Sequence, residues 1–264
     1  MIRRASLSLA ALVLLALPAA AAEKPSFDCA TAKTAREMAG CAAPEAAAAD
    51  RAMAEAYAAA RRRLAPAEAT ALAADQRAFL GRIDDGFDFY LWGKQEPPGP
   101  AERRATVRRA VGERADDIAE LVGQIRERAR LLAAIDGGGA GPVGVFVEHE
   151  SRMRIHPAAD GAHRIEFTSA DWARPKYHCD FAADARPAKG ALVAEEVEND
   201  EAGRRVTRLT ITVRGALLTI AETTDETGAD PDIGRACPRI PPLARPLFRI
   251  DPTSLPADHP IRRP

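Results

Sequence analysis

Residues 28–57 read DCATAKTAREMAGCAAPEAAAADRAMAEAY, and this stretch decides the fold of the first half of the chain. It contains two cysteines, Cys29 and Cys41, and a proline, Pro44, that suits the first turn of a helix because its missing N–H costs no hydrogen bond there. Alanine, the strongest helix former, dominates the residues after Pro44. The stretch therefore predicts a short helix that ends at Gly40, then a longer helix, with a disulfide between the cysteines and no catalytic group.

Helical signals continue through the first half of the sequence. Pro66 is placed to open a third helix, which is expected to end near Gly86. After a proline-rich break, apolar residues recur at helical spacing over residues 101–135. We therefore predict a disulfide-stapled helical bundle over residues 23–135.

Periodicity changes after a glycine-rich segment, residues 136–142, which is predicted to be a flexible linker. Some eight short alternating runs come after it, and the clearest pair, RLTITV and ALLTIA, meets at Arg214-Gly215 as a hairpin. The sequence thus predicts an α+β protein whose second half, residues 143–251, is an antiparallel β sandwich or small barrel. Residues 252–264 are predicted to form a flexible tail.

The first residues have the pattern of a secretory signal peptide, residues 1–22. A basic start is followed by a short apolar run and by small residues at Ala20-Ala21-Ala22. The alternative is an uncleaved anchor, but the apolar run is short for a membrane span, which needs ~20 residues. Because the cleavage region has no cysteine for lipid attachment, we expect a periplasmic or secreted chain that starts near Glu23 and has no membrane anchor.

Four cysteines in an exported chain favour disulfides over metal or thiol chemistry. Three pairings are possible, and the spacing favours Cys29 with Cys41 and Cys179 with Cys237, one bridge in each half. A zinc site is the rival interpretation. The sequence has no C-x-x-C motif and its histidines are scattered, so we expect no metal.

Charge and motifs exclude several classes of function. The 37 basic and 38 acidic residues give a net charge of −1, which offers no general attraction to nucleic acid. The sequence lacks the nucleophile-elbow, phosphate-loop and H-E-x-x-H motifs, and it has no G-x-G-x-x-G motif beside a helix. We therefore expect no catalytic residues, no cofactor and no enzyme activity.

An aromatic cluster, FDFYLW, occupies residues 87–92 of a chain in which only 5% of residues are aromatic. Its four rings belong to Phe87, Phe89, Tyr90 and Trp92. They are either core anchors over the helices or an exposed binding patch, since buried aromatic anchors dominate protein interfaces.

The segment from about residue 26 to residue 83 resembles the LprI-type lysozyme-inhibitor N-terminal domain, a helical module of exported bacterial proteins. The resemblance rests on cysteine, acidic, tyrosine and Q-R-x-aromatic-L positions at Asp28, Cys29, Ala35, Glu37, Cys41, Pro44, Asp50, Tyr57, Gln76, Arg77, Phe79 and Leu80. Two positions depart from the family. Phe79 stands where tryptophan is usual, and no second cysteine pair follows Arg82.

The resemblance implies an exported protein that binds and blocks a lysozyme-type muramidase or another envelope protein. The candidate binding residues are Glu37, Asp50, Tyr57, Gln76, Arg77, Phe89, Tyr90 and Trp92. For the polar residues a structural role is the favoured interpretation, in which Asp50 pairs with Arg77 and Tyr57 joins that pair. The alternative function is an envelope interaction module whose β domain binds a protein, a glycan or a small apolar ligand.

Overall fold

The computed structural model describes residues 24–262, apart from 94, 97, 114, 140, 149–150, 171–177, 201–202 and 228–244. The predicted signal peptide, 1–22, and Cys237 lie outside these residues, and the side chain of Cys179 is also not described. The predicted Cys179–Cys237 bridge therefore stays a prediction.

Five α-helices occupy the first half of the described chain. They are α1 (Ala35–Ala42), α2 (Pro44–Arg63), α3 (Pro66–Trp92), α4 (Pro100–Glu113) and α5 (Ala115–Ala134), preceded by a short 3₁₀ helix at Cys29–Thr31. The single long helix predicted over 101–135 is described as α4 and α5, on either side of residue 114. The predicted Cys29–Cys41 disulfide is present and ties the 3₁₀ helix to α1.

Two of the predicted helix ends are wrong, for different reasons. Gly40 lies inside α1, where the absence of a side chain lets the Phe27 ring pack: a Cβ on Gly40 would lie 3.3 Å from that ring. Helix α3 continues past Gly86 to Gly93, which has a φ of 65° and donates its N–H to the Phe89 carbonyl. A positive φ is adopted readily only by glycine, so the chain leaves the helical conformation at Gly93.

The helices bury one apolar face each. Helix α2 packs on α5, and α1 packs on α4. The stripe predicted along α4 and α5 supplies much of the core, with buried side chains from Val107, Ile118, Leu121, Ile125 and Leu132. From α3 come Leu72, Phe79, Ile83 and Phe87.

The second half is a closed antiparallel barrel. Of the two β architectures predicted from the sequence, a sandwich or a small barrel, the barrel is the one that forms. Its strands are β1 (Gly144–Val147), β2 (Ser151–Pro157), β3 (His163–Ala170), β4 (His178–Ala188), β5 (Ala191–Asp200), β6 (Gly203–Arg214), β7 (Leu217–Thr227) and β8 (Leu247–Ile250). Each strand pairs with the next, and β8 pairs with β1. The predicted hairpin is β6–β7, in which Arg214 pairs with Leu217 across the turn Gly215-Ala216.

Side chains fill the barrel interior along alternate positions of the strands, as closure of a small barrel requires. The buried interior residues are Phe146, Met153, Ile155, Ile165, Phe167, Ala185, Leu192, Ala194, Leu209, Ile211, Leu218, Ile220 and Leu247. The outward faces of β1 and β8 are also buried, because Val147, Phe248 and Ile250 belong to the same apolar cluster as the helices.

One carboxylate joins the start of α3 to the barrel. The Glu68 side chain accepts a hydrogen bond from the Ala65 amide at 2.9 Å and another from the Ala216 amide of the β6–β7 turn at 2.9 Å. The turn approaches so closely that a Cβ on Gly215 would lie 2.2 Å from Glu68 Oε1. Gly215 also has a φ of 58°, so glycine is required there both for space and for backbone conformation.

The glycine-rich segment between α5 and β1 is held by contacts on both sides, unlike the flexible linker predicted from its composition. The Asp136 amide donates to the Arg249 carbonyl, and the Arg249 guanidinium donates to the carbonyls of Gly141 and Val143. A Cβ on Gly137 would lie 2.5 Å from the Arg63 carbonyl oxygen, so glycine serves close packing here. The domain boundaries proposed at this segment stay a prediction.

The structure also differs from the predicted flexible tail. Two 3₁₀ helices, Pro252–Ser254 and Pro260–Arg262, follow β8. Leu255 is buried in the helical core, and the His259 ring lies 2.8 Å from Glu127 of α5. Proline-rich polar composition suggested disorder, but one buried leucine and one buried histidine attach this segment to the helices.

Candidate binding surface

Asp50 lies in a buried ion cluster between the N-terminal segment and the helices. Its carboxylate accepts hydrogen bonds from the Ser26 amide at 2.8 Å and the Ser26 hydroxyl at 2.5 Å, and lies 3.6 Å from the Arg36 guanidinium. Arg36 Nε also donates to Asp84 at 2.9 Å. The predicted pair of Asp50 with Arg77 is wrong, since Arg77 is exposed on α3. Asp50 therefore has a structural role.

Burial of Asp84 gives this cluster a pH dependence. Burial raises the pKa of the Asp84 carboxyl, and the nearby Arg36 offsets this only in part. Because the pKa of Asp84 is higher in the folded than in the unfolded state, the protonated carboxyl stabilises the folded protein. This stabilisation is fully present below about pH 4 and is lost as the pH rises through the folded-state pKa. The free energy of unfolding of Asp84→Asn, relative to that of the parent, should thus be higher at about pH 7 than at about pH 3, as measured by urea unfolding. Asp85→Asn, an exposed neighbour, is the control; an equal change in both variants would contradict the prediction.

Glu37 caps α1 from within. Its carboxylate accepts hydrogen bonds from the amides of Lys33 and Thr34, and the Thr34 hydroxyl accepts one from the Glu37 amide. This reciprocal pattern is a capping box, which satisfies amides that a helix start otherwise leaves unpaired. The contacts of Glu37 therefore stabilise the start of α1.

Gln76 lies in a second buried polar cluster, between α2, α3 and α5. Its side-chain oxygen accepts from Arg128 Nε at 2.9 Å, and its amide nitrogen lies 3.4 Å from Met53 Sδ. The Arg128 guanidinium also pairs with the Asp75 carboxylate and lies over the Phe79 ring, 5.4 Å from its centroid. These groups fix the positions of three helices.

Tyr57 and Trp92 are half-buried against the helical core, each with an arginine over its ring. Arg61 lies 5.7 Å from the centroid of the Tyr57 ring. Arg103 of α4 lies 5.9 Å from that of Trp92 and donates to the Lys33 carbonyl before α1. Arg103 thereby fixes the end of α3 relative to α4 and α1.

The aromatic cluster at the end of α3 divides between core and surface. Phe87 is 5% exposed and belongs to the core, whereas Phe89 is 61% exposed and Tyr90 56% exposed. Phe87 is thus a core anchor, whereas binding by the exposed Phe89 and Tyr90 stays a prediction. Phe89 and Tyr90 follow Asp85 and Gly86 by four residues, so these four positions share one side of the helix.

We call the four positions Asp85, Gly86, Phe89 and Tyr90 the aromatic face. It is helical rather than a loop, and its backbone is therefore already ordered. Behind it, burial raises the pKa of the Asp88 carboxyl, with Arg103 acting in the opposite direction. Arg82, about one helical turn before the aromatic face, lies 3.1 Å from the buried Glu148 and is part of the contact between α3 and the barrel. The aromatic face therefore carries large exposed apolar side chains of α3, Phe89 and Tyr90.

Residues 28–117 match the model of a family described as lysozyme inhibitor LprI. The resemblance predicted for residues 26–83 is thus confirmed, and the matched segment extends through α4 into α5. It includes the whole aromatic face and excludes the barrel. No curated protein and no solved structure matches the chain.

Metal-binding clusters and membrane-spanning helices are both absent from the described residues. In the parts of the chain that the structure describes, no three His, Cys, Asp or Glu side chains come together as metal ligands. Over the same residues, no helix has the length and apolar character needed to span a membrane.

Sequence reasoning missed the arginines that organise this molecule. Arg36, Arg128 and Arg249 are buried, and each bonds to groups far away in sequence. No local pattern marks them, because arginine on a helix or strand is usually solvated. The exposed positions of Phe89 and Tyr90 were equally unpredictable, since four aromatic residues in six positions suit core and surface alike.

Proposed function

We propose that this protein is an exported envelope binding protein that inhibits a lysozyme-type muramidase by occupying its cleft, without catalysis. The observation that carries the proposal is the aromatic face. It presents two large exposed rings on an ordered helix, inside the segment that matches the LprI family. The secretory pattern of residues 1–22 supports an envelope location.

The aromatic face can bind a partner with little loss of conformational entropy. Aromatic side chains bury a large area with few rotatable bonds, and they dominate binding energy at protein interfaces. Helix α3 is ordered by its packing, and Arg103 holds its end, so little conformational entropy remains to be lost on association. A muramidase cleft is shaped for a polysaccharide and is therefore a concave partner for the two exposed rings of the helix.

The test is a cell-wall turbidity assay. The mature chain from Glu23, with its disulfides formed, is titrated against c-type and g-type muramidases, and a stoichiometric fall in the lysis rate of at least one is expected. No effect on either class at several-fold molar excess would refute the proposal.

A double variant then locates the surface. Phe89→Ser with Tyr90→Ser should raise the inhibition constant by about 30-fold or more, because even one interface anchor typically contributes about 2 kcal/mol or more. Val143→Ser is the matched control, since Val143 is an exposed apolar side chain, 40% accessible, outside α3. The aromatic face would be rejected if both variants inhibited equally well, provided that circular dichroism showed intact folds.

A further inference from the structure

A cavity of about 470 Å³ opens at one end of the barrel, and none of its lining residues belongs to the aromatic face. That end is formed by the segment before β1, the start of β3, the β4–β5 turn and the last part of β6. Apolar walls come from Pro142, Pro187, Leu192, Ile211 and Val213. The volume lies within the range of small-molecule sites, roughly 300–1,000 Å³.

The imidazole of His163 faces this cavity with an unused polar atom. His163 is an inward position of β3, next in the alternation to the interior residue Ile165. Its Nδ1 atom is buried and has no hydrogen-bond partner among the described residues. A buried polar atom without a partner carries a desolvation penalty of about 1–3 kcal/mol, so a ligand that bonds to it recovers that penalty.

The rim of the cavity carries a lysine in an unfavourable backbone position. The β4–β5 turn consists of Lys189 and Gly190, with φ angles of 49° and 81°. A turn with both central residues at positive φ strongly prefers asparagine, aspartate or glycine. A lysine here is disfavoured by the turn itself, and strain held at a cavity points to a role for the side chain.

The part of the cavity wall at Gly141 is held in place. Gly141 lines the cavity, and its carbonyl accepts a hydrogen bond from the Arg249 guanidinium, which lies over the Phe146 ring. The cavity is therefore bounded on one side by a buried arginine contact and on the other by the strained turn. Among the described residues that line it, none is acidic.

We propose that this end of the barrel binds a small amphipathic monocarboxylate. Its apolar body packs against Pro142, Pro187 and Val213, and its carboxylate bonds to the Lys189 ammonium and to the His163 ring. A carboxylate satisfies both polar groups at once, because a protonated imidazole Nδ1 and an ammonium are both donors. This activity is separate from muramidase inhibition and needs no muramidase.

The experiment measures binding of octanoate and of uncharged 1-octanol to the full mature chain by titration calorimetry. The parent should bind octanoate more tightly than 1-octanol. Lys189→Asn keeps the turn geometry and removes the cation, so the octanoate dissociation constant should rise about tenfold while that of 1-octanol stays unchanged. His163→Leu should likewise weaken octanoate selectively.

Lys33→Asn, which removes an exposed lysine from the helical half, is the matched control and should bind as the parent does. The thermal midpoint of Lys189→Asn should be unchanged or higher, so weaker binding cannot be ascribed to unfolding. The proposal is overturned if the parent binds no octanoate at millimolar concentration. It is also overturned if Lys189→Asn and His163→Leu both bind octanoate as tightly as the parent.

Discussion

Arg128→Met is expected to lower the free energy of unfolding by about 3–5 kcal/mol, because it leaves the carboxylate of Asp75 buried without its counter-charge. Arg128 is 3% exposed, and the Asp75 side chain is 1% exposed. The substitution also removes the donor to Gln76 and the cation over the Phe79 ring. Urea unfolding of the mature chain, followed by far-ultraviolet circular dichroism, measures the loss.

Arg126→Met is the matched control, because Arg126 is exposed on the same helix and its replacement changes the net charge equally. It should cost less than about 0.5 kcal/mol. Combining Arg128→Met with Asp75→Leu should restore most of the stability, since removing both charges also removes the desolvation penalty. Equal losses of stability in Arg128→Met and Arg126→Met would show that Arg128 is not paired as described.

Replacing both Cys29 and Cys41 by serine is expected to lower the free energy of unfolding by about 3 kcal/mol. The disulfide closes a loop with a sequence separation of 12, and the chain-entropy estimate for loops of this size is about 3 kcal/mol. Loosening this loop also weakens the packing of Phe27 on Gly40. Denaturant unfolding under non-reducing conditions measures the difference.

Thr31→Ala, which lies inside the same loop and is exposed, controls for changes to the loop surface and should cost much less. Reductant should lower the stability of the Thr31→Ala protein more than that of the double serine variant, because only the former has this bridge to lose. A double serine variant within about 0.5 kcal/mol of the parent would mean that the unfolded chain is already constrained there.

The sequence predicted those features that depend on neighbouring residues. Pro44 and Pro66 open α2 and α3, and the β6–β7 hairpin turns at Gly215. Each signal works through local backbone geometry, so a single sequence contains it. The Cys29–Cys41 bridge belongs here too, since few residues separate the cysteines.

Features that depend on distant residues were not predictable in the same way. Arg128 and Asp75 are separated by 53 residues, and Glu68 and Ala216 by 148. Gly86 and Gly93 carry the same local signal, yet α3 continues to the second of them, and Phe87, directly after Gly86, is buried in the core. The aromatic face depends on this continuation of α3, because a helix that ended at Gly86 would not place Phe89 and Tyr90 on one ordered face.

The apolar cluster that contains Leu72 and Ile125 of the helices also contains Phe248 and Ile250 of β8. Neither half can be cut from the other at the glycine-rich segment without uncovering this shared interior. A helical fragment limited to the segment that matches the LprI family is consequently unsuitable for binding experiments. It would expose apolar surface that binds other proteins non-specifically. A barrel that is fused to these helices or exchanged for this one would need β1 and β8 faces of matching shape. The two halves are therefore expected to have changed together during evolution.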